Sequence, residues 1–352
     1  MKKRILAAAC GFAAVLSLMA CGGGSTEATT GGAVTSAETA AEKEADSAAG
    51  TVASGSADSG KTYRIGVLQY APHPALDKAN EGFVAALDEA GLSYTLDQQN
   101  AAGDQSACQT IATKLVNDGD DLILAIATPA AQAVAGQTTE IPVLVTAVTD
   151  PAESKLVAAN DAPGGNVTGS SDLTPVKEQI SLLKEILPEA KSVGILYCSA
   201  ESNSILQADM AKEACAAAGM EAVELPITAS NEIQTVVQSA VGKVDALYTP
   251  TDNMVAAGMA TVVMVANDNR IPVICGEDGM VQSGGLCTYG IDYYQLGRLC
   301  GEQAVKILTE GADPATMPIE YLPVEKCAFS YSEETAELLG LDLSKYVTVQ
   351  HP

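Results

Sequence analysis

Residues 121–146 read DLILAIATPAAQAVAGQTTEIPVLVT, and the rest of the chain can be interpreted from this stretch. The aliphatic run Leu122–Ile126 ends just before Thr128 and Pro129, and a second aliphatic run, Ile141–Val145, follows. This order predicts a buried strand, a helix and a second buried strand, the repeating unit of a parallel α/β sheet. Thr128 is predicted to cap the helix, with Pro129 in its first turn. A helix that begins at the carboxyl end of a strand offers free N–H groups to an anion such as a carboxylate.

A second copy of this pattern occurs later in the chain. Residues 245–253 read DALYTPTDN, a helical pattern follows, and Ile271–Ile274 is another aliphatic run. The distance from a strand glycine to a helix-ending glycine also repeats, because Gly66–Gly91 and Gly194–Gly219 each span 25 positions. Two halves with the same β-α-β order predict an α/β protein with two similar Rossmann-like lobes, each with a parallel sheet, joined by a hinge. The two Thr-Pro turns are predicted to face one ligand from opposite lobes.

The composition excludes several classes of function. The 352 residues, 47% of them hydrophobic, suffice for one large or two ordinary domains. A net charge of −25 argues against nucleic acid as a partner, because such binding depends on cationic neutralisation of phosphates. His73 and His351 are the two histidines, and no H-E-x-x-H or G-x-S-x-G pattern occurs, so no catalytic residues, metal site or cofactor are predicted. The seven cysteines after Cys21 include no C-x-x-C pair and are predicted to be small buried hydrophobes.

The first residues have the pattern of an export signal. A cationic start is followed by the apolar run Ile5–Met19 and then by Cys21, a sequence that resembles the bacterial lipobox, in which the cysteine is lipidated. We therefore predict a lipoprotein signal peptide at 1–20 and a lipid anchor on Cys21; an ordinary secretory signal with a chance cysteine is the alternative. Residues 21–60 are rich in Gly, Ser, Thr and Ala without apolar periodicity, which predicts a disordered tether.

Polar residues follow the predicted strands at their carboxyl ends, the edge at which open α/β sheets bind ligands. Hydroxyl and helix N–H groups suit a carboxylate, and buried carboxylates suit an ammonium, so together they predict an amino-acid ligand. Asp150 and Asp252 are the predicted ammonium ligands. The alternative for each residue is a local role in capping a helix or shaping a turn. The predicted ligand contacts are Tyr70, Thr128, Asp150, Ser171, Asn203, Asp252, Asn253, Glu277 and Asp292.

Several segments resemble one known family. They are QYAPHPALDKANEGF, DLILAIATPAAQA, IPVLVTAVTDP, PGGNVTGSSD, AKSVGILY, TDN and GIDYYQLGRLCGE. In this order they resemble the ABC-transporter substrate-binding proteins of the tryptophan/tyrosine type. The resemblance implies a type I periplasmic-binding-protein fold, no catalytic activity, and an ABC permease and ATPase as partners. The lobe limits are predicted at 61–171 plus 290–320 for the N-terminal lobe and 172–289 plus 321–352 for the C-terminal lobe.

The resemblance and the residues together predict a function. We expect a monomeric solute-binding lipoprotein, anchored on the extracytoplasmic side of the cell membrane, that binds an amino acid for an ABC importer. An aromatic or a branched-chain side chain is expected, and Tyr70 and Tyr293 are available to stack on an aromatic one. Two alternatives stay open: a ligand-sensing receptor that signals to a membrane partner, and an exported enzyme on the same scaffold.

Overall fold

The structure is a computed structural model that describes residues 60–347. The predicted signal peptide, Cys21 and nearly all of the predicted tether lie outside the described residues. Within residues 60–347, none of the helices is long and apolar enough to cross a membrane.

The first half of the described chain alternates strands and helices from its start. Pro74 opens the first helix, and the side chain of Asp104 caps the second by accepting hydrogen bonds from the N–H groups of Ser106 and Ala107. The elements are β1 (Tyr63–Gln69), α1 (Pro74–Glu89), β2 (Tyr94–Asn100), α2 (Gln105–Asp118), β3 (Leu122–Ile126), α3 (Thr128–Ala135), β4 (Val143–Val148) and β5 (Val167–Ser171).

The second half repeats the alternation and then returns to the first. Its elements are α4 (Val176–Ile186), β6 (Ser192–Cys198), α5 (Ser202–Ala217), β7 (Glu221–Ile227), α6 (Ile233–Ala240), β8 (Ala246–Thr249), α7 (Asn253–Ala257), α8 (Met259–Asp268), β9 (Val273–Cys275), α9 (Asp278–Gln282), β10 (Cys287–Gly290), α10 (Tyr293–Val305), β11 (Glu320–Tyr321), β12 (Ala328–Tyr331) and α11 (Glu333–Leu339). A wider helical turn, Lys306–Glu310, extends α10 and ends at Gly311, which has a positive φ.

The strands form two sheets of six with matching topology. The first sheet has the order β11-β5-β4-β3-β1-β2 and the second the order β12-β10-β9-β8-β6-β7. All pairings are parallel except that of β10 with β12. We call the sheets with their helices the N-terminal and C-terminal lobes. The predicted fold class, two similar α/β lobes, is confirmed, and the chain crosses between the sheets after β5, after β10 and after β11.

The two Thr-Pro turns are less alike than the sequence predicts. Ala127, with φ of 82°, is the N-cap of α3, and Thr128 is its first helical residue, so the prediction that Thr128 is the cap is wrong. After β8, the chain continues through Pro250 and Thr251 before the next helix begins, with Asp252 as its N-cap. The second turn therefore contributes a polar loop to the face between the lobes, where the first contributes a helix start.

The late helix α10 returns to the N-terminal lobe and packs closely on α1. A Cβ added at Gly297 would lie 1.9 Å from the backbone oxygen of Ala79, and one added at Gly82 would lie 2.0 Å from that of Tyr294. The two backbones can approach this closely only because both positions lack a side chain. This contact fixes the position of α10, whose first residue, Tyr293, reaches the face between the lobes.

Replacing Gly297 by Ala is expected to lower the free energy of unfolding by about 1–3 kcal/mol, since the added methyl group overpacks the α1–α10 contact. Urea denaturation measures the change. Gly165→Ala is the matched control, because no atom lies within 4 Å of a Cβ at that position, and we expect its effect to stay within about 0.5 kcal/mol. Equal stability of the two variants would contradict the close approach of the helices.

Candidate functional site

A small cavity lies between the lobes, at the carboxyl ends of strands from both sheets. In open α/β sheets this edge is where ligands bind. The cavity has a volume of about 10 Å³, room for about one water molecule, whereas small-molecule sites occupy several hundred Å³. The lobes are therefore closed on each other. The lining residues are His73, Leu76, Ala147, Asp172, Asn203, Thr251, Asp252, Asn253, Ala256, Glu277, Met280 and Tyr293.

Asp172 is a buried acidic residue of this cavity, and only one of its two carboxylate oxygens has a hydrogen-bond partner. It follows β5 directly, where the chain leaves the N-terminal lobe, and Tyr293 follows β10, where the chain returns. The Tyr293 hydroxyl donates a 2.7 Å hydrogen bond to Oδ2 of Asp172, and Oδ1 has no hydrogen-bond partner among the described residues. Burial raises the pKa of Asp172 to about 6, while Tyr293 and, to a smaller extent, the Thr149 hydroxyl and the backbone N–H of Asp172 itself act to lower it. A bound cation would stabilise the charged form.

The C-terminal lobe contributes a network around two further carboxyl groups. Asn253 donates to Oε2 of Glu201 at 2.5 Å, and the N–H of Met254 donates to Oε1 at 3.2 Å. Asp252 accepts from the N–H groups of Val255, at 2.8 Å, and Cys198, at 2.5 Å. Burial, and then the nearby Asp252, raise the pKa of Glu201 to about 8. This network holds the loop after β8 in place at the cavity.

Glu277 is a third acidic residue in the cavity wall, and it caps α9. Its oxygens accept hydrogen bonds from the N–H groups of Gly279, at 2.5 Å, and Met280, at 2.9 Å, while burial raises its pKa to about 8. Gly276, the preceding residue, lies against the turn after β8. A Cβ at Gly276 would lie 2.4 Å from the carbonyl carbon of Pro250, so only glycine permits this approach.

Apart from His73, the side chains in and behind the cavity wall that can carry a full charge are all acidic. Asp172, Asp252 and Glu277 line the cavity, Glu201 lies behind it, and the lining residues include no Lys or Arg. His73 offers no compensating charge, because burial lowers its pKa to about 4. Buried carboxylates without a cation are costly, so the arrangement favours a ligand that carries an ammonium or another cationic group.

Polar side chains join the lobes across the cavity. Nε2 of His73, after β1, lies 3.3 Å from Oδ1 of Asn253, at the start of α7. Gln207, on α5, donates from Nε2 to the hydroxyl of Thr149, at 3.0 Å, and to that of Thr251, at 2.5 Å. The His73–Asn253 and Gln207–Thr149 bonds exist only while the lobes are closed, because His73 and Thr149 belong to the N-terminal lobe; the Gln207–Thr251 bond lies within the C-terminal lobe.

Replacing Gln207 by Leu is expected to weaken ligand binding about 5-fold to 10-fold, because one buried bond across the lobes is worth about 1–1.5 kcal/mol. The variant removes the bond to Thr149, which favours the open arrangement, and it also removes the bonds that Gln207 makes to Thr251 in the cavity wall. Calorimetric titration measures the affinity. Gln238→Leu, on the exposed face of α6, is the matched control. Unchanged affinity in the Gln207 variant would mean that this bond does not contribute to closure.

The structure brings together some of the sequence-predicted contacts and separates others. Asn203, Asp252, Asn253 and Glu277 line the cavity. The other five do not: Tyr70 donates to the Gly103 oxygen, Thr128 is buried without a partner, Asp150 accepts from Ala152, Glu153 and Asn160, Ser171 donates to the Thr149 oxygen, and Asp292 caps α10 at an exposed position. Whether any of the nine contacts a ligand stays a prediction.

The sequence also contained signals for residues outside the predicted set. Asp172 follows Ser171 directly at the end of β5, where the sequence places two polar residues together, and alternation along a strand sends them to opposite faces. Asn203 and Gln207 are four residues apart on α5, and two polar residues on one buried helical face indicate a function beyond solvation. His73 and Tyr293 follow strands in the same way as the predicted contacts.

Nothing in residues 60–347 supports metal binding or a reactive thiol. No group of three or more His, Cys, Asp or Glu in this range could hold a metal ion. The seven cysteines of the range are free and buried, as predicted, and burial raises the pKa of Cys198 and Cys108 to about 12.

Comparisons with known proteins agree with a two-lobed binding protein. Residues 64–345 match the family model described as ABC transporter substrate binding protein. A tyrosine-binding protein of Clostridioides difficile is 42% identical over 292 residues, which cover 82% of this chain and 83% of that protein.

Two solved structures, one ligand-bound and one open, can be compared with the arrangement of the lobes. The ABC domain from Streptococcus pneumonia in complex with L-Trp is 36% identical and has a TM-score of 0.78, with 82% of this chain and 97% of that chain covered. The ligand-free, open structure of a substrate-binding protein with adhesive properties from Clostridium difficile is 42% identical and has a TM-score of 0.62, with 80% and 96% covered. The described arrangement thus resembles the ligand-bound structure more than the open one, although the sequence identity is in the reverse order.

Proposed function

Because the chain belongs to the family of ABC transporter substrate-binding proteins, we propose that it binds an aromatic amino acid between its lobes and delivers it to an importer. It is a solute-binding protein and not an enzyme, and proteins of this family act on the extracytoplasmic side of the membrane. The proposal includes the amino-acid ligand, import and the lipid anchor on Cys21.

The observation that carries the proposal is the unpartnered Oδ1 of Asp172 in a cavity that lacks Lys and Arg. A ligand ammonium would pair with this carboxylate and convert a costly buried charge into a charge-assisted hydrogen bond. Tyr293 orients the carboxylate through its bond to Oδ2. Asp172 therefore replaces Asp150 as the ammonium ligand that we favour, because Asp150 is occupied by local backbone and side-chain donors.

The carboxylate of the ligand has a candidate partner in the first turn of α3. The Thr128 hydroxyl is buried and has no hydrogen-bond partner among residues 60–347. Ala127 donates to the Thr146 oxygen, so the start of α3 lies beside Ala147, which lines the cavity. Free N–H groups at a helix start attract an anion.

The remaining wall of the cavity suits an apolar side chain. Leu76, Ala256 and Met280 supply apolar atoms on this side. An aromatic ring agrees with the tyrosine and tryptophan named for the two relatives at 42% and 36% identity, and a branched aliphatic chain is the competing choice. Because the cavity in the described arrangement is smaller than any amino acid, the lobes must separate for the ligand to enter, and they then close around it with a wider cavity, stabilised by its contacts to both lobes.

Calorimetric titration with matched ligands tests this function. L-Tyrosine, L-tryptophan and L-leucine compare side chains; tyramine lacks the carboxylate, and 3-(4-hydroxyphenyl)propanoate lacks the ammonium. We expect the aromatic amino acids to bind more tightly than leucine, and both analogues to bind much more weakly, with the larger loss for the compound without the ammonium. If no amino acid binds, the proposed ligand class is wrong.

A further inference from the structure

A second and larger cavity lies where the chain crosses between the lobes, and we call it the hinge groove. Its volume is about 470 Å³, within the range of small-molecule sites. The N-terminal lobe supplies its wall through α1 and the first turn of α10, and the C-terminal lobe through α9, β10 and β12. Glu277 and Tyr293 line both the hinge groove and the cavity between the lobes, so one wall is shared.

The floor of the hinge groove is built from small residues in register. Thr288 pairs with Ser330 and Gly290 with Ala328 in the antiparallel β10–β12 ladder. Residues two apart on a strand share a face, so all four lie on the same face of the sheet and line the groove. Large side chains at these positions would fill the space.

An unsatisfied polar group lies in this floor. Thr288 is 1% exposed, and its Oγ1 has no hydrogen-bond partner among the described residues. A buried hydroxyl without a partner costs about 1–3 kcal/mol, and a bound polar molecule would remove that cost. This hydroxyl distinguishes the hinge groove from a surface depression that merely holds solvent.

Charged groups of both signs line the hinge groove. Asp278, on α9, accepts a 2.5 Å hydrogen bond from the Ser330 hydroxyl on the C-terminal-lobe side. Lys78, on α1, and Lys326, between β11 and β12, supply ammonium groups; Lys78 is also paired with Glu81 at 2.6 Å, and Asp292 adds a further carboxylate. A small zwitterion matches groups of both signs, with its ammonium toward Asp278 and its carboxylate toward Lys326.

We propose that the hinge groove binds a second amino-acid-sized zwitterion, and that its occupation favours the closed lobes and tightens binding in the cavity between them. The coupling between the two sites rests on the proposed function. It is expected because both lobes supply walls of the hinge groove, and the spacing between these walls is that of the closed arrangement. A ligand that contacts both walls binds the closed arrangement better and shifts the equilibrium toward it. Linkage makes the effect reciprocal.

Thermal-shift measurements on Asp172→Asn protein test the site separately from the cavity between the lobes. Each of glycine, L-alanine, L-glutamate and L-lysine is added at millimolar concentration. We expect at least one to raise Tm, because a ligand of the folded protein stabilises it by mass action. Adding Ala328→Phe, which fills the groove from an exposed position, or Asp278→Asn should abolish the rise, whereas Ala328→Ser should retain it.

The outcomes separate the two proposals. No rise in Asp172→Asn protein, or a rise that survives Ala328→Phe, overturns the hinge site while leaving amino-acid binding by the wild-type protein untouched. If the Tm of Asp172→Asn protein rises as expected while the wild-type protein binds no aromatic amino acid, that result supports the hinge site and overturns the proposed function. For coupling, the hinge ligand should tighten L-tyrosine binding to wild-type protein about 5-fold or more, and unchanged or weaker binding overturns it.

Discussion

Asp172→Asn is expected to weaken binding of the amino-acid ligand by about 30-fold to 5,000-fold, the loss that corresponds to about 2–5 kcal/mol for a buried charge pair deprived of one partner. The substitution preserves the size of the side chain and an oxygen that can accept from Tyr293. It removes the negative charge, and its amide NH₂ would repel the ligand ammonium. Calorimetric titration with L-tyrosine measures the change.

Asp150→Asn is the matched control, because it makes the same chemical change at an aspartate outside the cavity. Oδ1 of Asp150 accepts from the N–H groups of Ala152 and Glu153 and from the side chain of Asn160. We expect this control to change affinity by less than about threefold, since its contacts are local. If Asp150→Asn greatly weakens binding and Asp172→Asn does not, Asp150 is the ammonium ligand, as the sequence predicts, and Asp172 is not.

Asp172→Asn should also affect the stability of the ligand-free protein. In the ligand-free protein, the carboxyl group of Asp172 is buried, and its charge is unfavourable above its raised pKa of about 6. Neutral Asn removes that unfavourable charge, so Asp172→Asn should be as stable as the wild type or more stable at pH 8. Urea denaturation therefore distinguishes a loss of binding chemistry from a loss of fold.

The alternation of strands and helices could be predicted because it depends on local patterns. Leu122–Ile126 is fully buried, as its aliphatic run indicates, and the equal spacing of the Gly66–Gly91 and Gly194–Gly219 segments reflects two sheets with the same strand order. Where a helix begins depends on less obvious features. Both Thr-Pro turns have the same local sequence, yet a positive φ at Ala127 starts one helix at once, whereas capping by Asp252 delays the other.

The lining of the cavity could be predicted only in part, because it depends on contacts between distant segments. The strand-end rule identified Asn203, Asp252 and Glu277 from the edges of the sheet. The rule does not say which polar residues already have hydrogen-bond partners in their own turn, as Asp150 does. Nor does it reveal that Asp172 meets Tyr293, since these residues are 121 positions apart and meet only where two chain crossings lie side by side.

The affinity for the amino acid is expected to rise about tenfold from pH 5 to pH 8, and the direction follows from Asp172. Burial raises its pKa to about 6 in the ligand-free protein, and a bound ammonium lowers that pKa by favouring the charged form. Binding near pH 6 therefore releases a proton, so affinity gains about tenfold per pH unit below 6 and levels off above it. The pKa values of Glu201 and Glu277 are raised to about 8. If the ligand lowers these pKa values too, the affinity continues to rise up to about pH 8.

Stability of the ligand-free protein should change in the opposite direction. The folded-state pKa of Asp172 lies above the unfolded value of about 3.9, so folding takes up a proton between pH 4 and pH 6. The contribution of this group to stability is therefore present near pH 4, declines as pH rises through 6, and is absent above that range. Titrations of binding in buffers of different ionisation enthalpy report the released proton directly. Asp172→Asn protein should release none near pH 6, and an unchanged release would place the titrating group elsewhere in the cavity, with Glu277→Gln as the next variant to compare.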